Sequence, residues 1–309
     1  MRLLYSFLAI AALFLGSASA QAQILPRAVG QWEATAGFRA LQRPVTDQAN
    51  QVVFFDTPTG ATLLDSDTLT DLNIGLGTDI SFSSQREDGL DYEIRFFFTT
   101  FERNTVTQGD SISSPFFNGV TLREVDGNYT SDMFSIELNQ KRIFSPYVRL
   151  LHGIRFMNID EQLTFNSRGQ ILLFPFSADS VTRARNPMLG YQIGGESTIC
   201  LVPGVDVDTY FKCGVYNNFT SQETVQTNSL IPGSSVLGGS ENELGFVSDF
   251  GIKFQFHIVE NFMSFYGGYD GMYVNSFAAA PTNVNLDNAV VNDLDFWLHG
   301  ITFGVSIQR

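Results

Sequence analysis

Residues 130–161 read TSDMFSIELNQKRIFSPYVRLLHGIRFMNIDE, and the rest of the chain follows their grammar. Phe134, Ile136 and Leu138 alternate with Ser135, Glu137 and Asn139. Beyond a short connection, Val148, Leu150, Ile154 and Phe156 alternate with Arg149, Gly153 and Arg155. Successive side chains of a strand point to opposite faces, so each half has one apolar and one polar face. Pro146 blocks continuation of a ladder, so the two halves form a tight antiparallel hairpin. A half-buried sheet of a soluble protein would show the same period. Recurrence, run length and the connections decide between the two.

The pattern recurs through the chain. Runs around 32–40, 74–82 and 92–99 precede the hairpin. Runs around 189–194, 210–216, 244–256, 265–269 and 297–307 follow it. This predicts ten strands of about ten residues each, a length that suits a membrane-crossing strand. Long polar segments follow the first, third, fifth, seventh and ninth strands. Short turns follow the second, fourth, sixth and eighth. A soluble sandwich has no reason to gather every long connection at one end. The expected fold is therefore an all-β, transmembrane, antiparallel up-and-down barrel with long outer loops and short periplasmic turns. Closure of the last strand onto the first removes edges that could not remain unpaired in lipid. A secreted soluble β-sandwich is the alternative, in which the Phe-rich faces would pack on one another. Against the barrel stands the ending Ser306-Ile307-Gln308-Arg309, since many such chains end on an aromatic residue read by the barrel-assembly machinery.

Composition agrees. A net charge of −14 argues against nucleic acid as a partner, because phosphates call for a basic surface. Only 16% of residues are charged while 29 are Phe, which suits a surface partly in contact with lipid. Mean hydropathy of +0.03 is far too low for a bundle of membrane helices. At the N-terminus, Arg2, the apolar run Leu3 to Leu15 and the small residues Ala18-Ser19-Ala20 make an export signal. Residues 1–20 are expected to be cleaved, leaving 21–309 as a single barrel domain of the bacterial outer membrane.

Several segments resemble a family of β-barrel porins, number seven of its named series. They are Tyr129 to Asp132, Ile136 to Asn139, Leu151 to Phe156, Asn186 to Gly194 (NPMLGYQIG), Lys212 to Asn218 (KCGVYNN), Glu243 to Gly251, Tyr266 to Val274 and Ala278 to Pro281. Together they span roughly Leu72 to the C-terminus. The resemblance implies an outer-membrane barrel of a bacterium with a diderm envelope, and says little about solute or mechanism.

If the Phe/Ile parity faces lipid, the other parity lines a lumen. Glu137, Asn139, Arg149, Arg155, Arg95, Asp249 and Lys253 are the candidates for a charged constriction that selects solutes by its field. Arg39, Asp79, Glu93, Lys141 and Lys212 share that parity. Against a pore stands a plug of satisfied ion pairs, because ten strands lie near the filled end of the barrel series. Glu137 with Arg149 or Arg155 is the expected pair. The functional expectation is a passive channel for small solutes. The second reading is a plugged barrel that binds or supports the envelope through its outer loops.

An enzyme is not expected. His152, His257 and His299 lie on different strands, with His152 and His299 facing outward, and no GxSxG, HExxH or P-loop pattern occurs. No cofactor and no metal site are expected. The string Asp65, Asp67 and Asp71 lacks the spacing of a calcium loop. Cys200 and Cys213 flank the turn at Pro203-Gly204, and a cross-strand disulfide between them depends on register. Outer-membrane lipid, the assembly machinery and small solutes are the partners.

Overall fold

The computed structural model describes residues 32–44, 52–65, 72–85, 90–114, 120–145, 147–171, 174–230, 233–259, 262–283, 290 and 294–309. The export signal and the Asp67–Asp71 part of the acidic string lie outside these residues. Ten strands form a closed antiparallel barrel: β1 (Trp32–Arg43), β4 (Leu72–Gln85), β5 (Leu90–Ser113), β6 (Thr121–Ser145), β7 (Val148–Ile171), β8 (Phe174–Val202), β9 (Val205–Asn228), β10 (Ser234–Val259), β11 (Met263–Phe277) and β12 (Leu294–Gln308). Each pairs with its neighbour in sequence, β4 follows β1, and β1 pairs with β12 to close the ring. The seam is finished by reciprocal bonds, Trp32 N to Arg309 O at 2.8 Å and Arg309 N to Trp32 O at 2.9 Å. A small hairpin, β2 (Val52–Asp56) and β3 (Thr62–Asp65), hangs on the end of β5.

The strands are longer than their apolar runs. β5 to β10 each span 24 to 29 residues, so most of the polar segments expected to be loops are strand. Only residues 172 and 173 separate β7 from β8. On most of these strands the reason is a switch of apolar parity within the strand. On β6, Phe134, Ile136 and Leu138 belong to the outward parity, while Val125, Tyr129 and Met133, nearer the long-loop end, point inward and are buried. On β7 the outward residues are Ile154 and Phe156, and the buried ones are Met157, Ile159, Leu163 and Phe165. On β12, Trp297, Ile301 and Phe303 face out, whereas Leu294, Phe296 and Leu298 face in.

The molecule therefore has two storeys. Towards the short turns, the outer wall is a belt of exposed apolar side chains around a polar interior. Beyond it, the wall is polar and hydrogen-bonded, as in Thr100 to Asp132 at 2.5 Å, Asn128 to Asn104 at 2.6 Å and Arg183 to Gln162 at 3.1 Å. The interior of this second storey is an apolar core such as a soluble protein carries. Phe54 of the β2–β3 hairpin stacks edge-on against Phe165 there, with ring centroids 5.1 Å apart.

Candidate functional site

The interior of the belt is the candidate site. Arg95, Glu137 and Arg155 sit opposite one another on β5, β6 and β7, so register alone places a carboxylate between two guanidinium groups. The closest contacts, however, run across the lumen to strands that are not neighbours. Lys212 Nζ on β9 lies 2.7 and 2.9 Å from the two Glu137 oxygens, and Arg155 Nη1 lies 2.5 Å from Asp249 Oδ2 on β10. Arg155 is 3.8 Å from Glu137, and Lys212 is 3.7 Å from Asp249. The four groups form a ring of alternating charge, each side chain no more than 7% exposed. Asn139 and Gln192 donate to Glu137 Oε2 at 3.0 and 2.9 Å, and Ser135 accepts from Arg155 Nε at 2.8 Å.

A second cluster lies beside it. Asp79 receives Arg39 and Arg95, the latter through two bonds of 2.5 and 2.9 Å. Arg39 Nε is also 3.5 Å from Asp270, which accepts from Tyr210 at 2.8 Å. Lys253 sits over the Tyr266 and Tyr210 rings, 4.9 and 5.8 Å from their centroids. Towards the short turns, Lys141 bridges Glu93 at 2.5 Å and Glu196 at 2.8 Å, and Arg149 lies 3.8 Å from Asp91. The cavity between the two main clusters has a volume of about 10 Å³. That is room for roughly one water molecule, not for a file of hydrated solutes.

Of the seven lumen candidates, Glu137, Arg155, Arg95 and Asp249 meet around this cavity, Asn139 stands behind it on Glu137, Lys253 joins the second cluster and Arg149 sits lower. Arg155 is the register partner of Glu137, while Arg149 pairs with Asp91 instead. Asp270, Tyr210 and Gln192 were missed as site residues. Parity could have found Asp270, since Phe265 and Tyr269 face out and position 270 falls on the other side.

Above the rings, the chain from the end of β11 folds into the barrel. Ser276 adopts a left-handed conformation (φ 61°), which turns the segment inward. Asn186 then grips it like a neighbouring strand: its Nδ2 donates to Ala278 O at 2.8 Å and its Oδ1 accepts from Ala278 N at 2.7 Å. Asn218 donates to Ser276 O at 2.8 Å, and Ala280 N donates to Glu161 at 2.9 Å. Glu161 is paired at 2.5 Å with Arg43, whose guanidinium lies over the Phe277 and Phe296 rings. In the same core, burial holds the Tyr129 phenol well above its ordinary pKa, against the pull of the Arg43 guanidinium.

Two further groupings carry residues with the potential for chemistry. His257 at the short-turn end bridges Ser264 Oγ at 2.7 Å and Asp206 at 2.9 Å. This is the residue set of a nucleophilic triad, but the Ser264 side chain sits in a residue only 1% exposed, which keeps a substrate carbonyl away from its oxygen. The two cysteines are free. Cys213 is opposite Ile193, whereas Cys200 is opposite Asp206. Seven residues (193 to 200) then separate the pairing positions, about 23 Å along the strand, and the parities are opposite. A disulfide between them is ruled out by that register.

No family model matches the chain, and no curated protein does. Solved structures do. The outer membrane protease OmpT from Escherichia coli aligns over 92% of this chain and 98% of its own, with a TM-score of 0.51 and 11% identity. The translocator domain of the autotransporter NalP from Neisseria meningitidis aligns over 92% and 90% (TM-score 0.45, 9% identity), and a FadL homologue from Pseudomonas aeruginosa over 91% and 90% (TM-score 0.34, 8% identity). The chain has the fold of bacterial outer-membrane β-barrels. The expectation that it is not an enzyme is corrected here, because the fold is also that of an outer membrane protease. At this identity the likeness is one of fold alone, so the fold weighs neither for nor against catalysis.

Proposed function

We propose that the protein is a closed β-barrel of the bacterial outer membrane that acts through the storey projecting beyond the lipid, as a surface-binding or envelope-structural protein. The observation that carries this reading is the filled interior. Two clusters of paired charges leave about 10 Å³ between them, and an apolar core with the inserted 276–283 segment stands above. The belt of Phe, Ile and Leu supports insertion, since only a surface meeting lipid gains from so many exposed apolar groups. The short turns then face the periplasm. The porin family that the sequence resembles would supply an open path, and the charged rings are where such a path would have to run. Liposome swelling tests the two directly. Vesicles carrying the inserted protein should swell in small sugars no faster than empty ones, and swelling graded by solute size would restore the channel reading.

A further inference from the structure

The belt is not uniform. Where β4 to β8 turn their outer faces to lipid, register lines up two rows at right angles to the strands. The first is Phe82, Ile94, Leu138, Ile154 and Tyr191. The second, one step nearer the short turns, is Ser84, Tyr92, Gln140 and His152. In the first row, aromatic rings stand at both ends and shorter aliphatic side chains lie between them. The result is a depression of about 560 Å³ in the outer wall, lined by both rows. Five strands span about 19 Å, wide enough for a lipid chain to lie between the aromatic ridges. Its volume falls within the roughly 300–1,000 Å³ of ordinary ligand pockets.

Polarity changes along the depression. The floor at Ile94, Leu138 and Ile154 is aliphatic. The rim carries the Tyr191 hydroxyl bonded to His152 Nδ1 at 2.9 Å, together with Gln140 and Ser84. One further step along β6 stands Arg142, exposed and on the same outward parity. An acyl chain on the floor would place a phosphate beside the guanidinium, with hydrogen-bonding groups between them. We infer that this depression is a binding site for one phospholipid of the inner leaflet, with its anionic headgroup at Arg142. The inference rests on the outer-membrane reading above.

The test uses the full mature chain, refolded and purified in a neutral detergent, with phosphatidylglycerol and phosphatidylcholine titrated in and bound lipid counted by native mass spectrometry. One phosphatidylglycerol should be retained, about tenfold more weakly by Leu138→Trp, which fills the floor. Arg142→Gln should cut the preference for phosphatidylglycerol over phosphatidylcholine by about fivefold. Ile301→Trp, outward on the far wall, should change neither. Equal retention by Leu138→Trp, or equal loss in Ile301→Trp, would overturn the site and leave only general lipid contact. A wild-type chain that stays soluble without detergent would overturn the membrane reading and this inference with it.

Discussion

Glu137 shows how much rests on single side chains inside this barrel. It takes Lys212 and Arg155 as charge partners and Asn139 and Gln192 as donors, in a residue 3% exposed. Removing one member of a buried set strands the others, at a cost of about 3–5 kcal/mol. Glu137→Ala should lower the denaturant midpoint of the refolded protein accordingly. Asp160→Ala breaks the exposed pair with Arg185 at 3.7 Å and should cost no more than about 1 kcal/mol. Asn186→Ala leaves a buried donor and acceptor of Ala278 unmatched, so a loss of at least about 2 kcal/mol is expected. Limited proteolysis should then cut within 276–283, where the wild type resists. Parity placed Glu137 in the lumen from sequence. It could not name Lys212 as its closest partner, because alternation fixes a face and not what meets across a closed ring.

At the level of the strand, the informative feature is the parity switch. Period 2 located all ten barrel strands and the short turns, because the belt repeats one phase with large apolar residues. On strands such as β6 it lost the upper half because the phase inverts there: between Met133 and Phe134 the apolar side changes from inward to outward. A reading in one phase meets that inversion as the end of the strand. The β2–β3 hairpin was missed for a different reason, since strands of 5 and 4 residues are too short to show a period. The switch makes a prediction on one strand. Ile136→Arg puts a charge in the belt and should cost about 2–4 kcal/mol. Thr130→Arg, on the same outward parity but beyond the belt, should stay within about 0.5 kcal/mol. Unfolding of both variants from detergent checks this, and equal effects would count against the two storeys.

For the whole molecule, the two storeys solve opposite solvent problems with one sheet. Where the wall meets lipid, charge is kept inside and neutralised in pairs. Where the wall meets water, the sheet turns its polar side out and the interior becomes an apolar core. Ten strands are few enough for side chains to fill the lumen, and here they do. The proposal of a closed barrel without a pore rests on that filling, not on the fold. Single-channel recording of the refolded wild type in a planar bilayer tests this most directly, with insertion shown separately by heat-modifiable gel mobility. The account predicts a silent membrane from inserted protein. Discrete ohmic steps that shift when Glu137 or Arg155 is changed to Ala would contradict it and establish a pore through the charged rings.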